Sequence, residues 1–184
     1  MNWEAEAVRW ANGLVGRSAV LDGIMAQLSD GWIPWALIAL AIGYWVWRER
    51  RRAFAPLLSL TGVVLLADFA GAQLKAAVGR PRPCQVFEVW NRVGGCGTAF
   101  SMPSNHVLNT AAAAGFLQVL YPKSGWIMWP LVVVQAFSRM FVAAHYPTDV
   151  LVGALVGSAL GVGLGLLLAA WRRRRGGLDL APEA

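Results

Sequence analysis

A chain of 184 residues that is 57% apolar and only 14% charged is too hydrophobic for an ordinary soluble globule. Its net charge of +6 does not point to nucleic acid, because eight of its sixteen Lys and Arg residues form two short blocks, Arg48–Arg52 and Arg172–Arg175, each closing an apolar run. Cations so placed set membrane topology and hold anionic lipid heads. The composition therefore predicts one all-α domain over residues 1–184, a polytopic helical bundle whose partner is the bilayer.

Residues 1–31 are mixed in character. Met1–Trp10 carries two glutamates and lacks the basic-then-apolar opening of a cleavable signal peptide. Ala11–Leu28 is apolar but interrupted by Gly13, Gly16, Arg17, Asp22 and Gly23. The segment reads as a helix lying in the interface, anchored by Trp3 and Trp10, with residues 11–28 a candidate sixth crossing. Five crossings follow. Trp32–Trp47 is short, with Asp30 as its cap and Pro34 in its first turn, and it ends at the first arginine block. Phe54 to about Lys75 returns, and residues 79–102 form a loop rich in Gly and Pro without a helical period. Pro103–Leu120 crosses back to a tight turn at Tyr121–Gly125. Trp126–Ala144 and Asp149–Trp171 complete the bundle. The last run carries Gly153, Gly157, Gly161 and Gly165 at four-residue spacing, a smooth stripe for packing against a neighbour.

Both arginine blocks and Lys123 fall on one face, which the positive-inside rule makes cytoplasmic. The expected location is the inner (cytoplasmic) membrane, with the C-terminus cytoplasmic. The opposite face, periplasmic or extracellular, keeps Lys75, Arg80, Arg82, Arg92 and Arg139, a surplus that an anionic ligand would explain. Cys84 and Cys96, the only cysteines, also fall there, where an oxidising compartment lets them pair as a disulfide.

Three polar clusters close crossings on that face. Lys75 to Pro83 contains Lys75, Arg80 and Arg82; Ser101 to His106 reads Ser-Met-Pro-Ser-Asn-His; Ser138 to Asp149 holds Arg139, His145 and Asp149. Taken singly, each has an ordinary explanation: an interfacial anchor, a helix cap or a histidine bonded at a helix end. Together they bring both histidines of the chain and its surplus outer cations to one side. A histidine near a carboxylate can be fixed in one tautomer and sharpened as a nucleophile or base, while guanidinium groups hold phosphate by paired hydrogen bonds. That combination suggests phosphate chemistry on a lipid.

Lys75 and, after six residues, Arg82-Pro83; then Pro103-Ser104-Asn105-His106; then Ser138-Arg139, five residues, His145, three residues and Asp149: this set resembles the tripartite signature of the type 2 phosphatidic acid phosphatase superfamily, which spans membrane lipid phosphatases and soluble vanadium haloperoxidases. The middle motif differs in having Asn105 where the family usually has Gly. Asn tolerates unusual backbone angles, so the turn is expected to survive, with the amide beside the phosphate and able to tune substrate choice. The resemblance implies a lipid phosphatase acting at the outer face. Lys75, Arg82, Ser104 and Arg139 would bind the phosphate, supported by Pro103, Asn105 and Ser138. His145 would be the nucleophile that becomes a phosphohistidine, Asp149 would hold its other ring nitrogen, and His106 would serve as acid and then base. Three fixed cations suit phosphoryl transfer. No Asp/Glu set suited to Mg²⁺ is evident, so the chemistry is expected to need neither metal nor cofactor. The candidate substrates are undecaprenyl diphosphate, phosphatidylglycerophosphate, phosphatidic acid and a lipid A phosphate. Competing readings are a non-catalytic lipid-phosphate binder or transporter and a vanadate-dependent haloperoxidase. Outside the signature, Arg80 reads as a headgroup or surface contact, Asp68 as an inward-facing intramembrane carboxylate with either a structural partner or a direct role, and Gln135 as a support for Arg139.

Overall fold

The computed structural model describes residues 3–87, 93, 96–97 and 99–174; the expected outer cation Arg92 and the last arginine of the terminal block, Arg175, lie outside them. All regular secondary structure among the described residues is helical. The elements are α1 (Trp3–Asn12), α2 (Ala19–Asp30), α3 (Ile33–Glu49), α4 (Phe54–Val78), the one-turn α5 (Pro83–Val86), α6 (Asn105–Leu120), α7 (Gly125–Phe141) and α8 (Pro147–Arg174), with short 3-10 turns at Arg50–Ala53 and Pro122–Ser124.

Local chemistry sets the ends. Ser18 caps α2, its side chain accepting from the Leu21 N–H. Gly79 closes α4 in the left-handed conformation, φ 63°, and its N–H bonds the Lys75 carbonyl. Pro34, Pro83 and Pro147 occupy first turns, where a missing N–H costs nothing. Asp30 does not cap α3, contrary to expectation. The cap position is Trp32, without a side-chain bond, and Asp30 ends α2 instead.

By length and apolarity, α8 and the run from Phe54 to Val86 are long enough to cross a membrane. At 1.5 Å per residue the 28 residues of α8 extend about 42 Å. α2 and α3 pass the same test only as a pair bent by 64° at their junction. The candidate sixth crossing at residues 11–28 is not one helix: α1 and α2 break between Asn12 and Ala19, and α2 has 12 residues. α1 packs on α7 and α8 through Ala5, Val8 and Ala11 while Trp3 and Trp10 stay exposed.

The centre of the bundle is α6, which packs most extensively on α8 and then on α7 and α4. Its inner faces are small: Ala111, Ala112 and Ala114 are fully buried, with Leu108 and Phe116 filling the spaces towards α4 and α8. Leu58, Trp126, Leu155 and Leu167 point outward. Small residues inside and large apolar ones outside are what a bilayer favours, since close backbone approach, rather than flight from water, holds helices together there. The glycine stripe finds its neighbour in α6. A Cβ added at Gly157 would lie 2.1 Å from the Leu108 carbonyl oxygen, and one at Gly161 would lie 2.1 Å from that of Ala112.

Gly161→Ala must therefore push the α6 and α8 backbones apart and should lower stability by roughly 1–3 kcal/mol. Gly163→Ala on the same helix meets nothing within 4 Å and should be neutral or gain up to about 1 kcal/mol. Thermal unfolding in detergent measures both; equal effects would contradict this packing.

Candidate active site

α4 ends, α6 begins, α7 ends and α8 begins at the same end of the bundle, so the three sequence clusters meet there. Lys75, in the last turn of α4, donates from Nζ to the carbonyl oxygens of Phe100 (2.9 Å), Ser101 (3.2 Å) and Pro103 (2.6 Å). Arg82 precedes α5, is buried, and donates from Nε to the Ala99 carbonyl at 2.7 Å. The chain returns beside it at Gly97, whose φ of 65° suits glycine and whose Cβ, if present, would stand 3.3 Å from the Arg82 guanidinium carbon. Cys84 and Cys96 form a disulfide, S–S 2.06 Å, that ties this return to α5, and the Cys84 N–H bonds the Ala143 carbonyl in the turn before His145 (3.0 Å).

Ser104 leads into α6, and its N–H bonds the Asp149 carbonyl at 3.0 Å, fastening the start of α6 to the start of α8. Its hydroxyl does not cap the helix. Arg139, 2% exposed in the last turn of α7, donates from Nη1 to the Ser29 carbonyl (2.9 Å), the Ser29 hydroxyl and Asp30 Oδ1 (3.2 Å). Ser138 and Gln135 stand behind it: Ser138 Oγ bonds the Gln135 carbonyl, and Gln135 Nε2 reaches the Leu28 carbonyl at 3.2 Å. Pro103 contributes the carbonyl closest to Lys75.

After α7 the chain turns through Ala143, a non-glycine residue at φ 55°, a conformation its Cβ disfavours. The turn is fixed because Ala144 and His145 both donate their N–H groups to the Arg139 carbonyl. His145 is 1% exposed, with Nδ1 3.7 Å from Asp149 Oδ2. That separation exceeds a hydrogen bond but suits one that tightens when the ring gains charge. Asp149 is fully buried. Its Oδ2 accepts from the Ser101 hydroxyl and the Tyr146 N–H (2.7 Å), and its Oδ1 accepts from Arg80 Nη1 (2.9 Å). His106, in the first turn of α6, is exposed and sits in the electrostatic field of Arg139, Asp30, Arg82 and Lys75. The same three cations act on His145. Burial pushes the His145 imidazole down to about 3. Asp149 pulls the other way, and Arg139, Arg82 and Lys75 reinforce the burial. The ring is neutral at physiological pH.

Two sequence readings, those of Asn105 and Arg80, are corrected. Asn105 occupies the first helical position of α6 and adopts no left-handed backbone, so the turn makes no glycine-like demand. Its amide turns to α4, where Asn105 and Asn109 each donate to Asp68 Oδ1 at 3.0 Å. Space for it comes from Gly71, where a Cβ would lie 2.6 Å from Asn105 Oδ1. Asp68 is thereby a structural tie between α4 and α6. Arg80 is no surface contact: it bridges Asp149, Thr148 and Glu4. Sequence reasoning missed Glu4 and Asp30 as neighbours of the signature, and it placed Ser101 in the second cluster without a role. In the sequence Asp30 reads only as a helix cap, and Glu4 only as one of two glutamates in the N-terminal segment.

The profile of the PAP2 superfamily matches residues 56–175. The chain is 33% identical over 147 residues to the decaprenylphosphoryl-5-phosphoribose phosphatase of Mycolicibacterium smegmatis, covering 76% of this chain and 74% of the relative. It is 32% identical over 162 residues to the undecaprenyl-diphosphatase BcrC of Bacillus subtilis, covering 85% and 78%. In three dimensions it resembles LpxE of Aquifex aeolicus, with a TM-score of 0.69 and 22% identity over 89% of this chain and 95% of that one.

Two outcomes are expected from this geometry. With ¹⁵N-labelled histidine, the His145 ring should keep neutral-imidazole shifts from about pH 8 down to about pH 5; a midpoint near the ordinary value of about 6.5 would contradict its burial. Reduction of Cys84–Cys96 should free the loop beside Arg82 and raise KM more than it lowers kcat, which steady-state kinetics with and without dithiothreitol will show.

Proposed function

The chain belongs to the PAP2 superfamily and is a membrane lipid phosphatase, and from that premise we propose that it removes phosphate from a polyprenyl-linked lipid through a phosphohistidine at His145. The observation that carries this reading is that Ser104 Oγ and Arg139 Nε are buried without a hydrogen-bond partner among the described residues. They come from two separate motifs of the signature and lie in a field set by three cations. Buried polar atoms left unpaired are costly, and a bound phosphate would satisfy those that face it.

In this mechanism the substrate phosphate takes up Lys75, Arg82, Arg139 and Ser104, drawing the first two away from neutral carbonyls. His145 attacks phosphorus from Nε2, because Nδ1 faces Asp149. The P–N bond forms as the P–O bond to the lipid breaks, and His106 gives its proton to the departing oxygen. Asp149 accepts the Nδ1–H of the ring as it becomes cationic. Water, losing a proton to His106, then attacks the phosphohistidine and releases inorganic phosphate. The three cations stabilise charge on the equatorial oxygens throughout, without help from a metal. The relatives at 30% identity or more act, by name, on a decaprenylphosphoryl phosphoribose or on undecaprenyl diphosphate. A phosphate carried on a long polyprenyl chain is the feature these substrates share. The arginine blocks favour an inner-membrane protein with its site on the outer face and its C-terminus in the cytoplasm.

Phosphate release by the purified protein in detergent tests this reading. The substrate panel is undecaprenyl diphosphate, a polyprenyl phosphoribose phosphate, phosphatidylglycerophosphate, phosphatidic acid and a lipid A phosphate. Polyprenyl substrates should have the highest kcat/KM. His145→Ala should lower turnover by at least about 10³-fold, and EDTA should leave it unchanged. A strict Mg²⁺ requirement or an active His145→Ala would overturn the mechanism.

A further inference from the structure

Arg80 lies outside the phosphate-binding signature, yet its guanidinium is spent on the turn that carries His145 and Asp149. Nη1 donates to Asp149 Oδ1 at 2.9 Å and to Thr148 Oγ1 at 2.8 Å, and Nη2 donates to Glu4 Oε2 at 2.8 Å. The guanidinium also lies 3.9 Å from the centre of the Tyr146 ring, on the residue next to His145. Its side chain is 22% exposed and that of Glu4 13%. A planar fork saturated in this way has little left for a lipid headgroup.

Glu4 holds the other end. Its Oε1 accepts from the Thr148 hydroxyl and, at 3.4 Å, from the Thr148 N–H in the first turn of α8, where a carboxylate complements the helix dipole. Burial alone would raise the Glu4 pKa, but the bonds from Thr148 and Arg80 outweigh it and hold it below the ordinary value, so the residue is an anion at neutral pH. α1 is itself anchored. Val8 packs with Cys84, Ala143 and Tyr146, and Asn12 Nδ2 donates to the Phe141 carbonyl at 2.8 Å. Glu4, Arg80 and Asp149 thus form a line of alternating charge from the N-terminal helix to the carboxylate beside His145.

The two oxygens of Asp149 have different neighbours. Oδ2 faces His145, Ser101 and the Tyr146 N–H, whereas Oδ1 takes Arg80. Without Arg80, a buried carboxylate oxygen loses its charged partner, and the carboxylate can rotate away from the imidazole to recover one. We propose that Arg80, clamped by Glu4, is a positioning residue that fixes the rotation of Asp149 and through it the His145 ring, so that helix α1 belongs to the catalytic apparatus. This rests on the reading of His145 as nucleophile and Asp149 as its partner. Both Glu4 and α1 precede the residues that match the family profile, 56–175.

The test is steady-state kinetics on the purified full chain with undecaprenyl diphosphate, alongside vanadate inhibition, for Arg80→Met, Arg80→Lys, Glu4→Gln, Asp149→Asn, the Arg80→Met/Asp149→Asn double variant and His145→Ala. Arg80→Met should lower kcat by up to about 10²-fold, the scale of a small misplacement of reacting groups, while KM and the vanadate inhibition constant stay near wild type. Arg80→Lys should recover some of the loss, since an ammonium can reach Asp149 but cannot bridge it to Glu4. Glu4→Gln should lower kcat in the same sense and less. In the Asp149→Asn background, Arg80→Met should cost little more, because its route runs through Asp149. Losses that multiply in the double variant, a rise in KM with kcat intact, or a lowered melting temperature with full kcat would overturn the proposal. An active His145→Ala would instead overturn the nucleophile on which it rests, whereas a dead His145→Ala with an unimpaired Arg80→Met removes this proposal alone.

Discussion

Positive charges crowded at the edge of an apolar bundle must be compensated, and the way this is done shapes the rest of the molecule. Lys75, Arg82 and Arg139 lie close enough to repel one another, and Lys75 feels both guanidinium groups. Lys75 and Arg82 are met by backbone carbonyls of residues 99–103. These are neutral acceptors, which satisfy hydrogen bonds and leave the net charge in place. Arg139 has two such acceptors at Ser29 and a half-exposed carboxylate at Asp30. A rim held together mainly by neutral oxygens stays electropositive, and an anion can exchange into it at low cost.

The arrangement sorts carboxylates by use. Asp149 is sealed and well satisfied, with donors from Ser101, Tyr146 and Arg80. Such a group cannot easily move, which suits the orientation of a ring. Asp30 is open and bonded more loosely, which suits a contact that yields. Asp68 lies further along α4 and is occupied by two asparagine amides of α6, so it stays away from the rim. Each carboxylate is set by the donors around it rather than by residue type.

Packing delivers these groups with little tolerance. The glycine stripe brings α8 against the backbone of α6, and the same contact continues to the bond between Ser104 N–H and the Asp149 carbonyl. A spacer of one side chain between the two helices would separate the Pro103–His106 motif from the Ser138–Asp149 motif. Bundle stability and site geometry therefore share one interface. The disulfide does the equivalent work for the Lys75–Pro83 motif, holding Gly97 and Ala99 beside Arg82.

Much of this was legible in the chain. Long apolar runs ended by arginine blocks dictate membrane helices because a bilayer accepts few other backbones, and the three clusters follow from spacing along helices whose ends are marked by Gly79, Pro103 and Pro147. Lys75, Arg82, Ser104, His106, Arg139, His145 and Asp149 could be named as a group because they belong to one recurring pattern. The roles of Arg80, Glu4, Asp30 and Asn105 could not be read. An arginine in a loop, a glutamate in an amphipathic helix and an aspartate between two apolar runs have the same appearance whether they face lipid heads, water or one another. Their partners lie 69, 76 and 109 residues away. Local sequence determines which segments become helices and which groups they present, since those are matters of nearest neighbours. Only the folded bundle decides which charge meets which, because compensation in a low-dielectric interior depends on distance in space and not on order along the chain.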